Sequence, residues 1–138
     1  MIDRIGLVCI WVLDLDEALD FYTRVLGFTL NTDVVEDGYR FVLVNAPEQP
    51  DVPLMLALPE PPAVDAATAE QIKALVAKGV MGPGALATPD CRKAYEELSA
   101  RGVDFVEPPE ERFYGIDAGF RDPSGNHWRL TQLYPQPT

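Results

Sequence analysis

The order of predicted elements repeats once along the chain, and this repeat constrains the fold more than any other feature. Each half contains one strand, one helix and three further strands, in residues 1–58 and again in residues 81–138. One such β-α-β-β-β unit cannot cover its own sheet face, so two copies are expected to pair around a shared groove. A connecting segment, residues 59–80, lies between them and carries a short helix. The sequence therefore predicts an α+β fold, a single domain of two modules.

Turn and capping residues place the elements of the first module. Residues 5–12 are apolar on both faces, which predicts a central strand. Asp14 has the position of a helix N-cap, with Glu17 three residues later, and the helix runs to about Leu26 before Gly27 ends it. The remaining strands of this module are predicted at 28–35, 39–44 and 54–58.

The second module ends in a strand that has two chemically different faces. Asp122–Gly125 contains the proline and glycine of a tight turn, and strand 127–133 follows it. Because side chains alternate along a strand, His127 and Arg129 share one face. That face is either solvated or lines a cleft. The other elements of this module are predicted as strand 84–88, a helix from Asp90 to Arg101 ended by Gly102, and strands 103–106 and 116–121.

Composition and charge exclude several classes of partner. The chain has 22 acidic and 11 basic residues and a net charge of −11, so its field opposes binding to nucleic acid. No apolar run approaches the roughly 20 residues that a membrane span needs, and the N-terminus lacks a signal-peptide pattern. We therefore expect a cytoplasmic protein with no membrane partner. Cys9 and Cys91 have neither disulfide nor zinc spacing and are expected to be buried or semi-buried thiols rather than redox centres.

Two segments carry a resemblance to a known family. Residues 14–28, Asp-Leu-Asp-Glu-Ala-Leu-Asp-Phe-Tyr-Thr-Arg-Val-Leu-Gly-Phe, resemble the first-helix signature of the vicinal oxygen chelate superfamily, which includes glyoxalase I, bleomycin-resistance proteins and extradiol dioxygenases. Residues 122–126, Asp-Pro-Ser-Gly-Asn, resemble the turn before that family's last strand. The resemblance implies paired βαβββ modules that form a U-shaped cleft, often completed in a homodimer.

The resemblance also implies where a metal would be held. Metal-dependent members take one ligand from each of four strands, at positions that fall at or beside Leu7, near Leu56, at Pro83 and at Arg129. Leucine and proline side chains have no donor atom, and arginine is a permanent cation. The single histidine, His127, lies two residues before the last of these positions. We therefore predict no metal and no other cofactor.

The family geometry implies a set of ligand-binding residues, whereas no catalytic residue can be assigned. Trp11 offers a stacking surface and His127 a group that titrates near neutral pH. Arg129 would bind a ligand anion unless a carboxylate such as Glu107 or Asp117 pairs with it. Tyr114 is predicted to cover the pocket. The full predicted set is Leu7, Cys9, Trp11, Arg40, Leu56, Tyr114, His127 and Arg129.

Three classes of function remain open from the sequence. The first is a glyoxalase- or bleomycin-resistance-like protein that binds a small organic molecule in a metal-free cleft. The second is an enzyme of lyase, isomerase or dioxygenase type, which uses His127 or Cys9 or a displaced metal site. The third is a dimeric structural module whose groove is filled by its own side chains. A homodimer is expected in each case, because strand edges left by two βαβββ units need covering.

Overall fold

Two four-stranded sheets with the same topology make up the fold. The computed structural model describes residues 1–135. The first sheet has the order β1-β4-β3-β2 and the second β5-β8-β7-β6, and in each sheet the module's first strand runs parallel to its last strand. This topology confirms the α+β fold of two βαβββ modules. The strands are β1 (Val8–Trp11), β2 (Thr29–Glu36), β3 (Tyr39–Asn45), β4 (Leu54–Ala57), β5 (Gly84–Ala87), β6 (Asp104–Arg112), β7 (Gly115–Arg121) and β8 (His127–Leu133).

The helices begin where the sequence predicts them. Helix α1 spans Leu15–Asp20 and continues as a π-helical segment, Phe21–Val25; α2 spans Ala66–Lys78 and α3 spans Cys91–Ala100. Asp14 caps α1 by accepting a hydrogen bond of 2.8 Å from the Glu17 amide, and the matching bond from the Lys93 amide to Asp90 is 3.0 Å. Both predicted caps are confirmed.

None of the helices in residues 1–135 has the length and apolarity that crossing a lipid bilayer requires.

Strand β1 is an edge strand, so its prediction as a central strand is wrong. It pairs with β4 alone, and it begins at Val8 rather than at residue 5. Ile10 faces the core, whereas Cys9 and Trp11 face the opposite side of the sheet. The strand is apolar on both sides because the outer face of the sheet is itself apolar, and not because neighbouring strands flank it on both sides.

A single hydrophobic core is shared by both sheets. Val42 and Leu56 of the first sheet and Phe120 of the second are fully buried in it. Phe21 and Tyr22 join the same cluster, and the Phe21 ring centroid lies 6.3 Å from that of Phe120. Since both sheets direct one face towards this common core, their opposite faces point away from it. We call these the outer face of the first sheet and the outer face of the second sheet.

The turn before β8 is built around the carboxylate of Asp122. Its Oδ1 accepts hydrogen bonds from the backbone amides of Ser124, Gly125 and Asn126 at 3.0, 3.0 and 2.9 Å. Gly125 has a φ of 114°, which a residue with a side chain rarely adopts. The predicted turn is thus confirmed, and its aspartate satisfies three buried or partly buried amides at once.

The same turn joins the second module to the first. The Tyr22 hydroxyl donates a bond of 2.7 Å to Asp122 and accepts one of 2.8 Å from the Trp128 indole nitrogen. Asn126 donates to the Trp11 carbonyl at 2.8 Å. Burial, followed by the nearby Asp122 charge, holds the pKa of Tyr22 well above its ordinary value, so this hydroxyl stays protonated. These polar contacts fix how the two modules pack together.

Candidate ligand-binding surfaces

A cluster of paired charges occupies the outer face of the second sheet. Arg129 donates from Nε and Nη2 to the two oxygens of Asp117 at 3.2 and 2.6 Å, and from Nη1 to Glu107 Oε1 at 2.7 Å. The Asp117 side chain is 4% exposed and that of Arg129 is 30% exposed. The guanidinium is therefore satisfied by two carboxylates of its own chain, and it does not present the free cationic fork that an anion would need.

Hydrogen bonding sets the protonation states in this cluster. Burial raises the pKa of Asp117, but the bonds from Arg129 and Tyr114 outweigh it and hold the pKa below the ordinary value. The Tyr114 hydroxyl donates to Asp117 at 2.9 Å, and this bond raises the pKa of Tyr114. At neutral pH the cluster thus contains an ionised Asp117, a cationic Arg129 and a neutral phenol.

His127 lies beside this cluster above a glycine. Its Nε2 is 3.3 Å from Glu107 Oε1, and this buried nitrogen has no hydrogen-bond partner within residues 1–135. A Cβ added to Gly119 would lie 2.6 Å from Arg129 Nη1 and 2.7 Å from His127 Nε2. The absence of a side chain at Gly119 therefore provides the space that the charged cluster occupies. Sequence reasoning missed this residue, although an isolated glycine inside a strand often marks such a close approach.

A cavity of about 440 Å³ opens on the outer face of the second sheet. The small side chains of Ala85 and Ala87 share this side of the sheet with Arg129 and Thr131, their register partners on β8. The volume falls in the range of small-molecule sites, and the mixture of an apolar floor with a few polar groups is typical of them. The lining residues are Ala85, Leu86, Ala87, Tyr114, Asp117, Arg129, Thr131 and Leu133.

The outer face of the first sheet is apolar. Register pairs Cys9 with Met55, and Met55 with Leu43, so these three side chains share that face with Trp11 and Phe41. Trp11 and Cys9 also line a cavity of about 370 Å³ beside the segment 80–83. Cys9 is exposed, so its predicted burial is wrong, whereas Cys91 is buried as predicted. Partial desolvation still raises the pKa of the Cys9 thiol and disfavours its reactive thiolate form. This face offers stacking and apolar contact rather than acid-base chemistry.

Two of the predicted ligand-binding residues do not lie on an outer face, and a third lies before the first strand. Leu56 is fully buried in the core, and its neighbour Met55 occupies the outer face instead. Arg40 lies on the helix side of β3, where it pairs with Asp33 at 2.9 Å and with Asp16 of α1 at 2.7 Å. Leu7 precedes β1 and is 45% exposed. For Leu56 and Arg40 the alternation along the strand is one residue out of the expected register, whereas Leu7 lies before the first residue of its strand.

The remaining five predicted residues divide between the two outer faces. Cys9 and Trp11 belong to the first sheet, and Tyr114, His127 and Arg129 to the second. Cys9 lines the cavity beside segment 80–83, whereas His127 Nε2 lies beside Glu107 on the second sheet. No hydrogen bond or ion pair described within residues 1–135 joins this thiol to this imidazole.

The residues at the expected metal positions do not fit a metal ion. Leu7, Leu56 and Pro83 offer no donor atom, and Arg129 places a guanidinium between two carboxylates. Within residues 1–135, no three His, Cys, Asp or Glu side chains lie together where they could hold a metal. We therefore derive no chemistry through a metal at these positions.

Comparison with known proteins places this architecture in a family. The crystal structure of UcmS2 is 40% identical, with a TM-score of 0.90, and the match covers 95% of this chain and 98% of that one. The structure of TnmS3, an antibiotic binding protein from Streptomyces sp. CB03234, is 28% identical with a TM-score of 0.76 and covers 96% and 98%. An uncharacterised protein of Shewanella frigidimarina is 35% identical over 91% of this chain and 90% of its own length.

The family model described as Glyoxalase/Bleomycin resistance protein/Dioxygenase superfamily matches residues 4–130, which cover most of both modules and the turn before β8. The chain belongs to this superfamily.

Proposed function

We propose that this protein binds a small organic molecule, without a metal ion, in a cleft that a second copy of the chain completes. The observation that carries the proposal is the cavity of about 440 Å³ on the outer face of the second sheet, where Tyr114, Arg129 and Thr131 stand beside the small residues of β5. The similarity to TnmS3, whose described role is antibiotic binding, supports a small molecule as the guest. A cytoplasmic location is part of the proposal and rests on the sequence alone.

The two outer faces suggest how a guest would be held. One is apolar, with Trp11, Phe41 and Leu43, whereas the other carries hydrogen-bonding groups around Arg129 and Asp117. A flat molecule with polar groups along one side suits a cleft with one wall of each kind. Because Arg129 already pairs with two carboxylates, the guest is a neutral or cationic molecule rather than an anion.

A homodimer supplies the second wall. The two outer faces of one chain point away from the shared core, so a cleft with both kinds of wall needs a second copy. The apolar outer face of the first sheet would otherwise remain open to water, and strands β1 and β5 each have a single neighbour in their sheet. Two-fold pairing is the commonest way in which such surfaces are covered.

A binding screen with matched variants tests this function. Neutral, cationic and anionic polycyclic antibiotics are added to the protein, and the melting temperature is measured with and without a chelator. We expect at least one neutral or cationic compound to stabilise the protein equally with and without chelator. Tyr114→Ala, which removes a lining side chain, is expected to lower the affinity for that compound at least tenfold. Phe113→Ala is the matched control, because Phe113 is 96% exposed and does not line the cavity.

The proposal is contradicted if no compound of the screen binds, or if Tyr114→Ala and Phe113→Ala bind the compound as well as the original protein does.

A further inference from the structure

A third and larger cavity, of about 780 Å³, lies between the two modules. We call it the inter-module cavity. Helix α3 forms one wall, and residues 46–49, together with Leu26 and Phe28 of the first module, form the other. Strand β5 separates it from the cavity on the outer face of the second sheet, since β5 lines both. The inter-module cavity is therefore distinct from the surface to which the proposed function is assigned.

Small side chains keep this cavity open. Ala46 and Ala94 line it at positions where a larger apolar residue would fill the space, while the partly buried Phe28 and Leu98 add apolar surface to its walls. Unfilled apolar space forfeits the contacts that packed atoms would make. The volume lies within the range of small-molecule pockets. An apolar molecule in this space would gain contacts that the chain's own side chains do not provide.

Charged groups at the cavity favour a cationic guest. Glu48 and Glu97 line it, against the single cation Arg101, which donates from Nη1 to the Val25 carbonyl at 2.8 Å. Glu48 forms no ion pair among the described residues, and Glu97 lies 4.0 Å from the ammonium of Lys93, with both side chains more than half exposed. Two carboxylates are thus available, and the net charge of −11 attracts a cation from a distance.

We propose that the inter-module cavity is a second binding site, which takes a small apolar molecule that carries one cationic group. The apolar part lies against Phe28 and Leu98, and the cationic group lies near Glu48 and Glu97. This site requires neither Tyr114 nor Arg129, so it stands independently of the proposed function.

Fluorescent dyes of opposite charge test the site. Rhodamine 6G is a largely apolar, cationic dye, and anilinonaphthalene sulfonate is a largely apolar, anionic dye that serves as the comparison. We expect one rhodamine 6G per chain by fluorescence titration, with at least tenfold weaker binding of the anion. Ala94→Phe, which fills the cavity, should lower the affinity for rhodamine 6G at least tenfold. Ala100→Phe makes the same change at an exposed position of α3 and should leave the affinity within twofold.

A charge variant keeps the test decisive if Ala94→Phe does not fold. Replacing Glu48 and Glu97 together by lysine should lower the affinity for rhodamine 6G at least tenfold. Glu96→Lys, at an exposed position of α3, is the control and should change the affinity less than threefold. The second site is overturned if the original protein does not bind the cation, or if Ala94→Phe and the double lysine variant bind it unchanged. It is also overturned if Tyr114→Ala abolishes the binding, because the dye would then occupy the outer-face cavity.

Discussion

The Tyr22 hydroxyl donates a hydrogen bond of 2.7 Å to Asp122 Oδ2, and these two residues belong to the two sequence segments that carry the family resemblance. Tyr22 lies in the first-helix segment and Asp122 begins the turn before the last strand. The segments therefore contact each other in the core and hold the two modules together. Both residues thus have a structural role in this chain, and neither lines the cavity to which ligand binding is proposed.

Tyr22→Phe should destabilise the protein by about 1–3 kcal/mol, because it removes the partner of a buried carboxylate and of the Trp128 indole N–H. Urea unfolding measures this change in free energy. Tyr95→Phe is the matched control, since the Tyr95 ring packs on Phe105 in a half-buried position. Equal stability of the Tyr22 and Tyr95 variants would show that the network does not stabilise the junction.

Arg129→Met should also destabilise the protein, by about 1–3 kcal/mol, because it leaves the buried Asp117 carboxylate without its main partner. Combining Arg129→Met with Asp117→Asn removes the unpaired charge and should recover part of the loss, as a double-mutant cycle would measure. Arg24→Ala serves as the control, since its ion pair with Asp20 is largely exposed and should contribute little to stability. A stable single variant with altered ligand binding would instead make Arg129 a binding residue.

Gly119→Ala should disturb the charge cluster, since its Cβ would lie 2.6 Å from Arg129 Nη1 and 2.7 Å from His127 Nε2. The side chains must move, and we expect a cost of about 1–3 kcal/mol in unfolding free energy. Gly6→Ala is the control, because nothing lies within 4 Å of the Cβ it would add. The His127 ring resonances in an NMR spectrum should shift in the Gly119 variant alone, and unchanged resonances would contradict the close approach.

Acid should weaken the fold through Asp117. Its pKa is lower in the folded protein than in the unfolded chain, where it is about 3.9, so the ionised carboxylate stabilises the fold above that pH. This stabilisation is lost as the pH falls through the lower, folded pKa. Urea unfolding at pH 7, 4 and 3 should therefore show that acid lowers the free energy of unfolding less for Asp117→Asn than for the original protein. Parallel losses would exclude Asp117 as a source of the pH dependence.

Light scattering at micromolar concentration should give twice the 15.2 kDa mass of one chain. Leu43→Glu introduces a charge on the apolar outer face of the first sheet and should shift the protein towards monomer. Leu75→Glu, on the exposed side of α2, is the control and should leave the mass unchanged. A monomer for the original protein, or a dimer that tolerates Leu43→Glu, would contradict a dimer formed through this face.

The sequence by itself determined the order of elements, the two helix caps and the fold. These features depend on local chemistry: Asp14 and Asp90 accept amide bonds within their own first turns, and Gly125 supplies a backbone angle within its own turn. The alternation of Trp128 and Leu130 with His127 and Arg129 also depends only on the period of a strand, and it correctly separated a core face from an outer face.

Only the tertiary structure decided which side chains meet. Nothing in the local sequence shows that Asp117 and Glu107, from β7 and β6, converge on Arg129. A ligand anion was therefore a candidate partner until the strand register brought these carboxylates to the guanidinium. The register also moved Leu56 into the core and Arg40 to the helix side, because a shift of one residue exchanges the two faces of a strand. The outward direction of both open faces follows from packing the two modules on one core, which is a long-range property that no single segment encodes.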